Sequence, residues 1–323
     1  MLTLDVSHLK EKKNLLAFSA GVDSSALFFL LLEYNIPFDI ALVNYGTRDS
    51  SDTEELHAKD LAKQYKLTCH TIKAPPFTTH FEQNARKFRY DFFEKLIEEQ
   101  HYDTLLTAHQ LNDQLEWLLM RLTKGAGVSE LIGLEEVSQR KNYTLVRPLL
   151  EYSKEELLVY LQDNKYPYFV DESNSDEKYE RNLFRKQFSD PLMAEYKEGI
   201  KRSFDYLKQD KKQLEANFEH IYTQKELRII KLHTLQVKAK ATDLTLKELG
   251  YLLSASQRKE VENEESLVIG GKWAVTLQDD LLYIAPYLTI DMPKKFKEAC
   301  RVLKIPSKIR AYCFEESIDI QSL

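Results

Sequence analysis

Phe18-Ser19-Ala20-Gly21-Val22-Asp23-Ser24-Ser25 lies between an apolar run, Leu15-Leu16-Ala17-Phe18, and an amphipathic run, Ala26-Leu27-Phe28-Phe29-Leu30-Leu31-Leu32. The pattern reads as strand, tight loop, helix. Small residues and hydroxyls at the mouth of a helix let backbone N–H groups approach an anion, and the helix dipole favours negative charge there. Ser19, Ala20, Gly21, Val22, Asp23 and Ser24 are therefore candidate phosphate-cradle residues. The loop is not a P-loop ending in Gly-Lys-Ser/Thr, because no Lys follows the glycine and Asp23 precedes the hydroxyl of Ser24. An N-capped helix after a strand, with Asp23 or Ser24 as the cap, accounts for the same residues without a ligand.

Outward from this loop, strand-like segments at 14–19, 39–45, 67–72 and 103–108 alternate with helix-like segments at 24–34, 53–65, 82–100 and 111–123. This βαβ series predicts an α/β fold: a doubly wound parallel sheet covered on both faces, with ligands at the carboxyl ends of its strands. Residues 19–24 and 108–113 both fall at such ends. Ser153 followed by Glu156 makes a capping box ahead of Leu157-Leu158-Val159-Tyr160-Leu161, so another helix starts there. After about residue 190 the alternation stops, and 193–224 reads as one or two charged helices forming an arm. Gly270-Gly271 and Asp279-Asp280 separate three apolar runs, which suggests strands joined by turns in a small α+β module. The expected division is 1–190 and 191–323.

With 323 residues and 43% hydrophobic content the chain can build two cores. Its apolar runs fall far short of the ~18 residues of a membrane helix. Met1-Leu2-Thr3-Leu4-Asp5 lacks the basic start and apolar core of a signal peptide, so a cytoplasmic protein with no membrane partner is expected. Cys69, Cys300 and Cys313 are widely separated and form no Cys-x-x-Cys, which argues against a zinc site, an iron–sulfur cluster or a disulfide framework. The net charge of −6 conceals an asymmetry. Residues 201–240 hold ten Lys/Arg against five Asp/Glu, and 294–310 hold seven against Glu298 alone, which leaves the remainder at −17. A basic second half suits a polyanionic partner, although solvated helix faces explain 201–240 equally well.

A second stretch, Thr107-Ala108-His109-Gln110-Leu111-Asn112-Asp113-Gln114-Leu115-Glu116-Trp117, places Asp113 and Glu116 three apart on one helix face with His109 at its mouth. Two carboxylates and an imidazole can hold Mg²⁺ and orient a cationic nucleophile. First-turn acids favoured by the helix dipole would look the same.

The first loop resembles the Ser-Gly-Gly-x-Asp-Ser pyrophosphate loop of the N-type ATP pyrophosphatases, the PP-loop enzymes that cleave ATP to AMP and pyrophosphate. Ala20 stands where that family carries its first glycine, so the cradle is expected only if position 20 has an ordinary backbone conformation. The second stretch resembles the tRNA(Ile)-lysidine synthetases, whose pattern is Ala-His-His-x-x-Asp-Asp-x-x-Glu-Thr, then an apolar helix and a Gly-x-Gly turn. His109, Asp113, Glu116, Gly125 and Gly127 match; Gln110, Asn112 and Trp117 replace the second His, the first Asp and the Thr. The metal role then rests on Asp113, with Asp23 as a second anion. Leu42-Val43-Asn44-Tyr45-Gly46-Thr47-Arg48 resembles the family's second strand, whose backbone reads the adenine edge and whose arginine turns back to the site. Asn84-Ala85-Arg86-Lys87-Phe88-Arg89-Tyr90 resembles its Ala-Arg-x-x-Arg-Tyr helix. Asp171-Glu172-Ser173-Asn174 with Arg181-Asn182-Leu183-Phe184-Arg185 resembles its Asp-Pro-Ser/Thr-Asn and Arg-Asn-x-x-Arg motifs. Five ordered motifs spanning 14–186 exceed what one short motif carries. The basic segment with Lys294, Lys295, Arg301, Lys308 and Arg310 is similar to the family's C-terminal tRNA-holding module.

The resemblance implies an ATP pyrophosphatase catalytic domain over 1–190 and a helical arm with a basic tRNA-binding domain over 191–323. It implies a ligase that adenylates carbon 2 of the wobble cytidine in a CAU-anticodon tRNA(Ile) and lets the ε-amine of free L-lysine displace AMP. ATP and Mg²⁺ are the implied cofactors. Ser19 to Ser24, Val43, Asn44 and Arg48 would bind ATP, and Asp23 and Asp113 would share the metal. Arg86, Arg89, Arg181 and Arg185 would meet phosphates or tRNA. Glu116 would attract the lysine ammonium, and His109, with an ordinary pKa, would take its proton. A homodimer is compatible with the sequence. The alternatives are a tRNA thiolase, a small-molecule amide-forming synthetase and a non-catalytic RNA-binding descendant.

Overall fold

Leu15 and Leu16, adjacent on the first strand, are both completely buried, and they point into different cores. The first strand is therefore central and covered on both faces. In the computed structural model, which describes residues 2–47, 51–77, 79–170 and 180–323, β1 (Asn14–Ala17), β2 (Phe38–Asn44), β3 (Cys69–Lys73), β4 (Thr104–Leu106), β5 (Val137–Gln139) and β6 (Thr144–Val146) form one sheet. Its order is β3-β2-β1-β4-β6-β5. All pairs are parallel except β5 with β6; Asn14 lies opposite Phe38 on one side and Thr104 on the other. Leu16, Ile40, Leu42, Leu106 and Val146 face α1 (Val22–Glu33), α2 (Ser51–Tyr65) and, further along the chain, a helix at Lys154–Asp163. Leu15, Ala41, Leu105 and Leu145 face α3 (Phe81–Gln100). This period-two alternation is the doubly wound arrangement that the βαβ series predicts. The order reverses at β1, with β2 and β4 on opposite sides, so the switch-point crevice opens between the ends of β1 and β4.

After β4 come α4 (Leu111–Leu122), α5 (Val128–Ile132) and α6 (Lys154–Asp163), the last with the expected Ser153–Glu156 capping box. Then α7 (Glu180–Phe184) runs into a π-helix, Arg185–Ser189, and α8 (Asp190–Glu215), kinked at Tyr196. The expected boundary at 190 falls where α8 begins; the two compact units, Met1–Lys208 and Gln209–Leu323, divide within α8.

The second unit is a five-stranded antiparallel sheet of β7 (Phe218–Gln224), β8 (Leu227–Leu232), β9 (Ser266–Ile269), β10 (Trp273–Gln278) and β11 (Leu281–Pro286), ordered β7-β8-β11-β10-β9. Ile230, Val275 and Ile284 face α9 (Lys238–Glu248) and α10 (Ala255–Asn263); Ile229, Ala274 and Tyr283 face α11 (Lys294–Val302) and α12 (Ser307–Glu315). The expected arm helix through Gln224 is corrected here: 218–224 is a strand. Leu214, Phe218 and Tyr222 fit a helical period, but Phe218 to Gln224 pair with Leu232 to Leu227 across a hairpin at Lys225, whose φ is +50°.

Position 20 also departs from expectation. Ala20 has φ +60°, the left-handed region, while Gly21 has φ −75°. The loop nevertheless closes, because the Ala20 carbonyl accepts from Phe169 N (2.8 Å) and Ser25 Oγ (3.2 Å) and its methyl is completely buried. The left-handed conformation costs about 1–2 kcal/mol and the buried methyl returns about 0.8 kcal/mol. Ala20→Gly should therefore shift unfolding stability by no more than about 1 kcal/mol, whereas Ala20→Val, β-branched at positive φ, should lose more than about 2 kcal/mol. Urea denaturation of both variants checks this.

Candidate active site

The loop between β1 and α1 is tied by the helix's own first hydroxyl. Ser24 Oγ donates to Gly21 O (3.2 Å), accepts from Ser19 N (3.2 Å) and lies 3.1 Å from Ser19 Oγ. Asp23, in the first turn of α1, has its Oδ1 buried without a hydrogen-bond partner among the described residues. Burial, reinforced by the Asp113 charge, pushes the Asp23 carboxyl up to about 7, against the opposing pull of Lys154 and Arg185.

Across the crevice, α4 opens with a capping box. Gln110 Oε1 accepts from Asn112 N (2.5 Å), and Asp113 Oδ2 accepts from Gln110 N (3.1 Å). Asn112 turns away from the site: its Oδ1 accepts from Lys154 N (3.1 Å) and its carbonyl from Ser189 Oγ. Trp117 donates to Glu130 O (2.8 Å) and packs over Gly133, where a Cβ would stand 1.8 Å from the indole. Asp113 and Glu116 do share a face, and both are buried. They are met by Arg181 and Arg185: Arg181 Nη2 to Asp113 Oδ1 (2.6 Å), Arg181 Nε to Glu116 Oε2 (2.8 Å), and Arg185 Nε and Nη2 to the two Glu116 oxygens (2.5 and 3.1 Å). The four sequence-predicted residues thus form one charge-balanced cluster.

His109 sits between this cluster and a cleft of about 200 Å³ at the ends of β1, β2 and β4. Val43, Tyr45, Arg89, Tyr90, Phe93 and Thr107 also line the cleft. Its Nδ1 lies 3.0 Å from Thr107 Oγ1. Desolvation, then the charges of Arg147, Arg181, Arg89 and Arg86, lower its pKa to about 3, which corrects the ordinary value expected from sequence. The imidazole is neutral at pH 7, and an anion that neutralised those arginines would restore basicity. Asn44 does not line the cleft; its amide donates to Asp52 (2.8 Å) and Glu55 (2.7 Å), and its Oδ1 holds Gly46 N. Arg86 is exposed and stacks 4.8 Å from the Tyr90 ring. Arg48 and Asp171 to Asn174 lie outside the described residues.

For a divalent cation, the unpartnered Asp23 Oδ1 is a suitable oxygen donor, while both oxygens of Asp113 already accept hydrogen bonds. No group of three or more metal-binding side chains occurs among the described residues. The residues fit Mg²⁺ held by one carboxylate with waters and phosphate oxygens, the usual manner for that ion.

In the second unit, Lys294 and Lys295 are exposed on α11. Arg301 forms a fork with Glu298 (2.9 and 2.7 Å), Lys308 donates to Ser266 O and Arg310 to Ile305 O. Sequence reasoning missed Arg147, Tyr45 and Lys154. Arg147, buried just past β6, donates to Glu135 O (2.6 Å). Lys154 had a signal: it is a cation in the first turn of α6, where the dipole disfavours it.

The PP-loop domain profile matches residues 2–192. A tRNA(Ile)-lysidine synthase from Campylobacter jejuni is 48% identical, covering 98% of this chain and 96% of its own. One from Wolinella succinogenes is 43% identical over 96% and 95%. The chain belongs to the tRNA(Ile)-lysidine synthase family, within the PP-loop proteins. A solved U34-tRNA thiolase from Methanococcus maripaludis, 18% identical, superposes with a TM-score of 0.51 over 62% of this chain and 72% of its own, a likeness of fold alone.

Two outcomes follow for the cluster and for Asp23. Glu116→Gln leaves Arg181 and Arg185 short of one charge in a buried setting and should cost roughly 3 kcal/mol, read by denaturant unfolding. For Asp23 the folded pKa lies above the unfolded one. Its ionisation therefore costs nothing below pH 4, opposes folding progressively from pH 4 to 7, and opposes it fully above pH 7. Asp23→Asn should accordingly match the parent at pH 4 and exceed it at pH 8, by up to about 4 kcal/mol. Parallel unfolding curves at pH 4 and pH 8 would contradict the shift if the difference did not grow with pH.

Proposed function

We propose that this protein uses ATP to adenylate carbon 2 of the wobble cytidine in a CAU-anticodon tRNA(Ile) and joins free lysine there, giving lysidine, AMP and pyrophosphate. The observation that carries this reading is the convergence of Asp23, His109, Asp113 and Glu116 at the β1/β4 crevice, in a chain 48% identical to a tRNA(Ile)-lysidine synthase over nearly its whole length.

In the first step the cytosine O2 attacks the α-phosphorus and pyrophosphate leaves with the electron pair. Ser19 to Ser24 and the α1 N-terminus offer donors to the departing phosphates, and Arg86 and Arg89 offset charge developing on them. Arg48, by its sequence motif, would join them. Mg²⁺ bound at Asp23 would supply charge neutralisation to those phosphates. In the second step the lysine nitrogen bonds to carbon 2 and the bond to AMP breaks. Asp113 and Glu116, charge-balanced by Arg181 and Arg185, would draw the lysine ammonium by exchanging those guanidinium partners for it. His109, neutral and facing the cleft, accepts the proton released from the amine once phosphates have offset the surrounding arginines.

The basic segment with Lys294 and Lys295 would hold the tRNA body. We place the reaction in the cytoplasm, where ATP, lysine and tRNA meet; no described helix is long and apolar enough to cross a membrane. Labelled lysine should enter CAU-anticodon tRNA(Ile), and AMP should form only when that tRNA is present. Asp23→Ala and Asp113→Ala should each lower AMP formation more than ~10-fold. The affinity for tRNA should fall steeply with salt. Label transfer from a sulfur or ammonia donor, with none from lysine, would replace this reading with another PP-loop chemistry.

A further inference from the structure

The loop 19–24 has a cavity on each side. One is the cleft with Tyr45, Arg89 and His109; the other, about 380 Å³, is lined by Gly21, Glu54, Lys154 and Phe169. Ser19, Asp23 and Ser24 line both, so the loop is the wall between them. An ATP lying across such a wall would place its nucleoside on the aromatic side and its terminal phosphates on the other. On that second side α1 begins, where first-turn N–H groups and the positive dipole end favour an anion; α6 also begins there, with its Lys154 and Glu156 N–H groups already bound by Asn112 and Ser153.

Asp23 and Glu54 oppose a bare polyanion in this second cavity, so a cation must share it. Lys154 is the lysine lining that cavity. It is exposed, and among the described residues its ammonium has no ion-pair partner. Its charge works against α6, because a cation in a helix's first turn is disfavoured. Its backbone N–H, in contrast, performs the structural task of binding Asn112 Oδ1, which any residue except proline can do. The side chain's charge acts instead on Asp23, where it opposes the rise of that carboxyl.

We propose that Lys154 is a pyrophosphate-side residue: it contacts the β- and γ-phosphates of ATP in the cavity behind the loop, and pyrophosphate leaves through that cavity rather than through the nucleoside cleft. The inference rests on the ATP-cleaving reading above. Cleavage of the bond between the α-phosphorus and its bridging oxygen puts the electron pair on pyrophosphate. Lys154 offsets the charge that accumulates there, while the adenylate stays on the other side of the loop facing His109.

The test uses the full chain and the variants Lys154→Met and Lys154→Arg. Lys154→Met should raise KM for ATP and weaken product inhibition by pyrophosphate ~5- to 10-fold, with KM for lysine and inhibition by AMP unchanged, and Lys154→Arg should restore both. Its melting temperature should stay near the parent's, since an unfavourable helix charge and the favourable pull on Asp23 are lost together; a lysine needed for the fold would lower it markedly. Direct titration of inorganic pyrophosphate with Mg²⁺ into parent and Lys154→Met separates this inference from the reaction assignment. Weaker binding in the variant supports it even if the parent forms no AMP. Equal pyrophosphate affinity in the two proteins, or equal loss of AMP and pyrophosphate inhibition, would overturn it.

Discussion

Two carboxylates in the first turns of α4, nearly removed from water, are each met by guanidinium groups, and the rest of the first unit's site depends on that pairing. Desolvating Asp113 and Glu116 alone would cost several kcal/mol each. Arg181 and Arg185, four apart on one helical face, supply the opposite charges with short, directional contacts. The same contacts fasten α7 and the π-helix to α4. Asn112 adds two further ties, to Ser189 on one side and to the start of α6 on the other. The beginning of α4 is thus the junction on which three other segments of the first unit depend.

The departures from the family pattern make sense at this junction. Gln110, standing where the pattern has a second histidine, caps α4 through its side-chain oxygen. Asn112, in place of an aspartate, spends its amide oxygen on the α6 backbone instead of facing the crevice. Trp117 packs against Gly133 and carries the Arg121 guanidinium 4.3 Å over its ring. Each replaced group has become part of the scaffold, and the crevice keeps Asp23, His109, Asp113 and Glu116 as its ionisable set.

Neighbouring charges push the two sides of the crevice in opposite directions. Asp23 is burdened by burial and by Asp113, so its carboxyl titrates near neutrality. His109 is burdened by burial and by four arginines, so its ring stays neutral. A polyphosphate with its cation would relax both, neutralising the arginines around the imidazole and compensating the carboxylate. Substrate binding and the tuning of these two groups are in this way one electrostatic event.

Periodicity and local residue types specify the parallel sheet, the loop at the end of β1 and the Ser153–Glu156 capping box, because local hydrogen bonding and alternating burial leave their marks within a few residues. Asp113, Glu116, Arg181 and Arg185 can be singled out by residue type and spacing, yet their meeting cannot: the partners are 65 to 69 residues apart. The strand at Phe218–Gln224 reads as helix until its hairpin partner is known, since pairing, not propensity, decides a partly exposed strand. Ala20 likewise shows nothing in its identity of a positive φ; Phe169, held opposite by the fold, captures its carbonyl and makes that conformation stable. The low pKa of His109 and the high one of Asp23 come first from burial and then from charges delivered by distant segments. Local chemistry therefore singled out the candidate ionisable groups, and the folded chain alone set their burial and their partners.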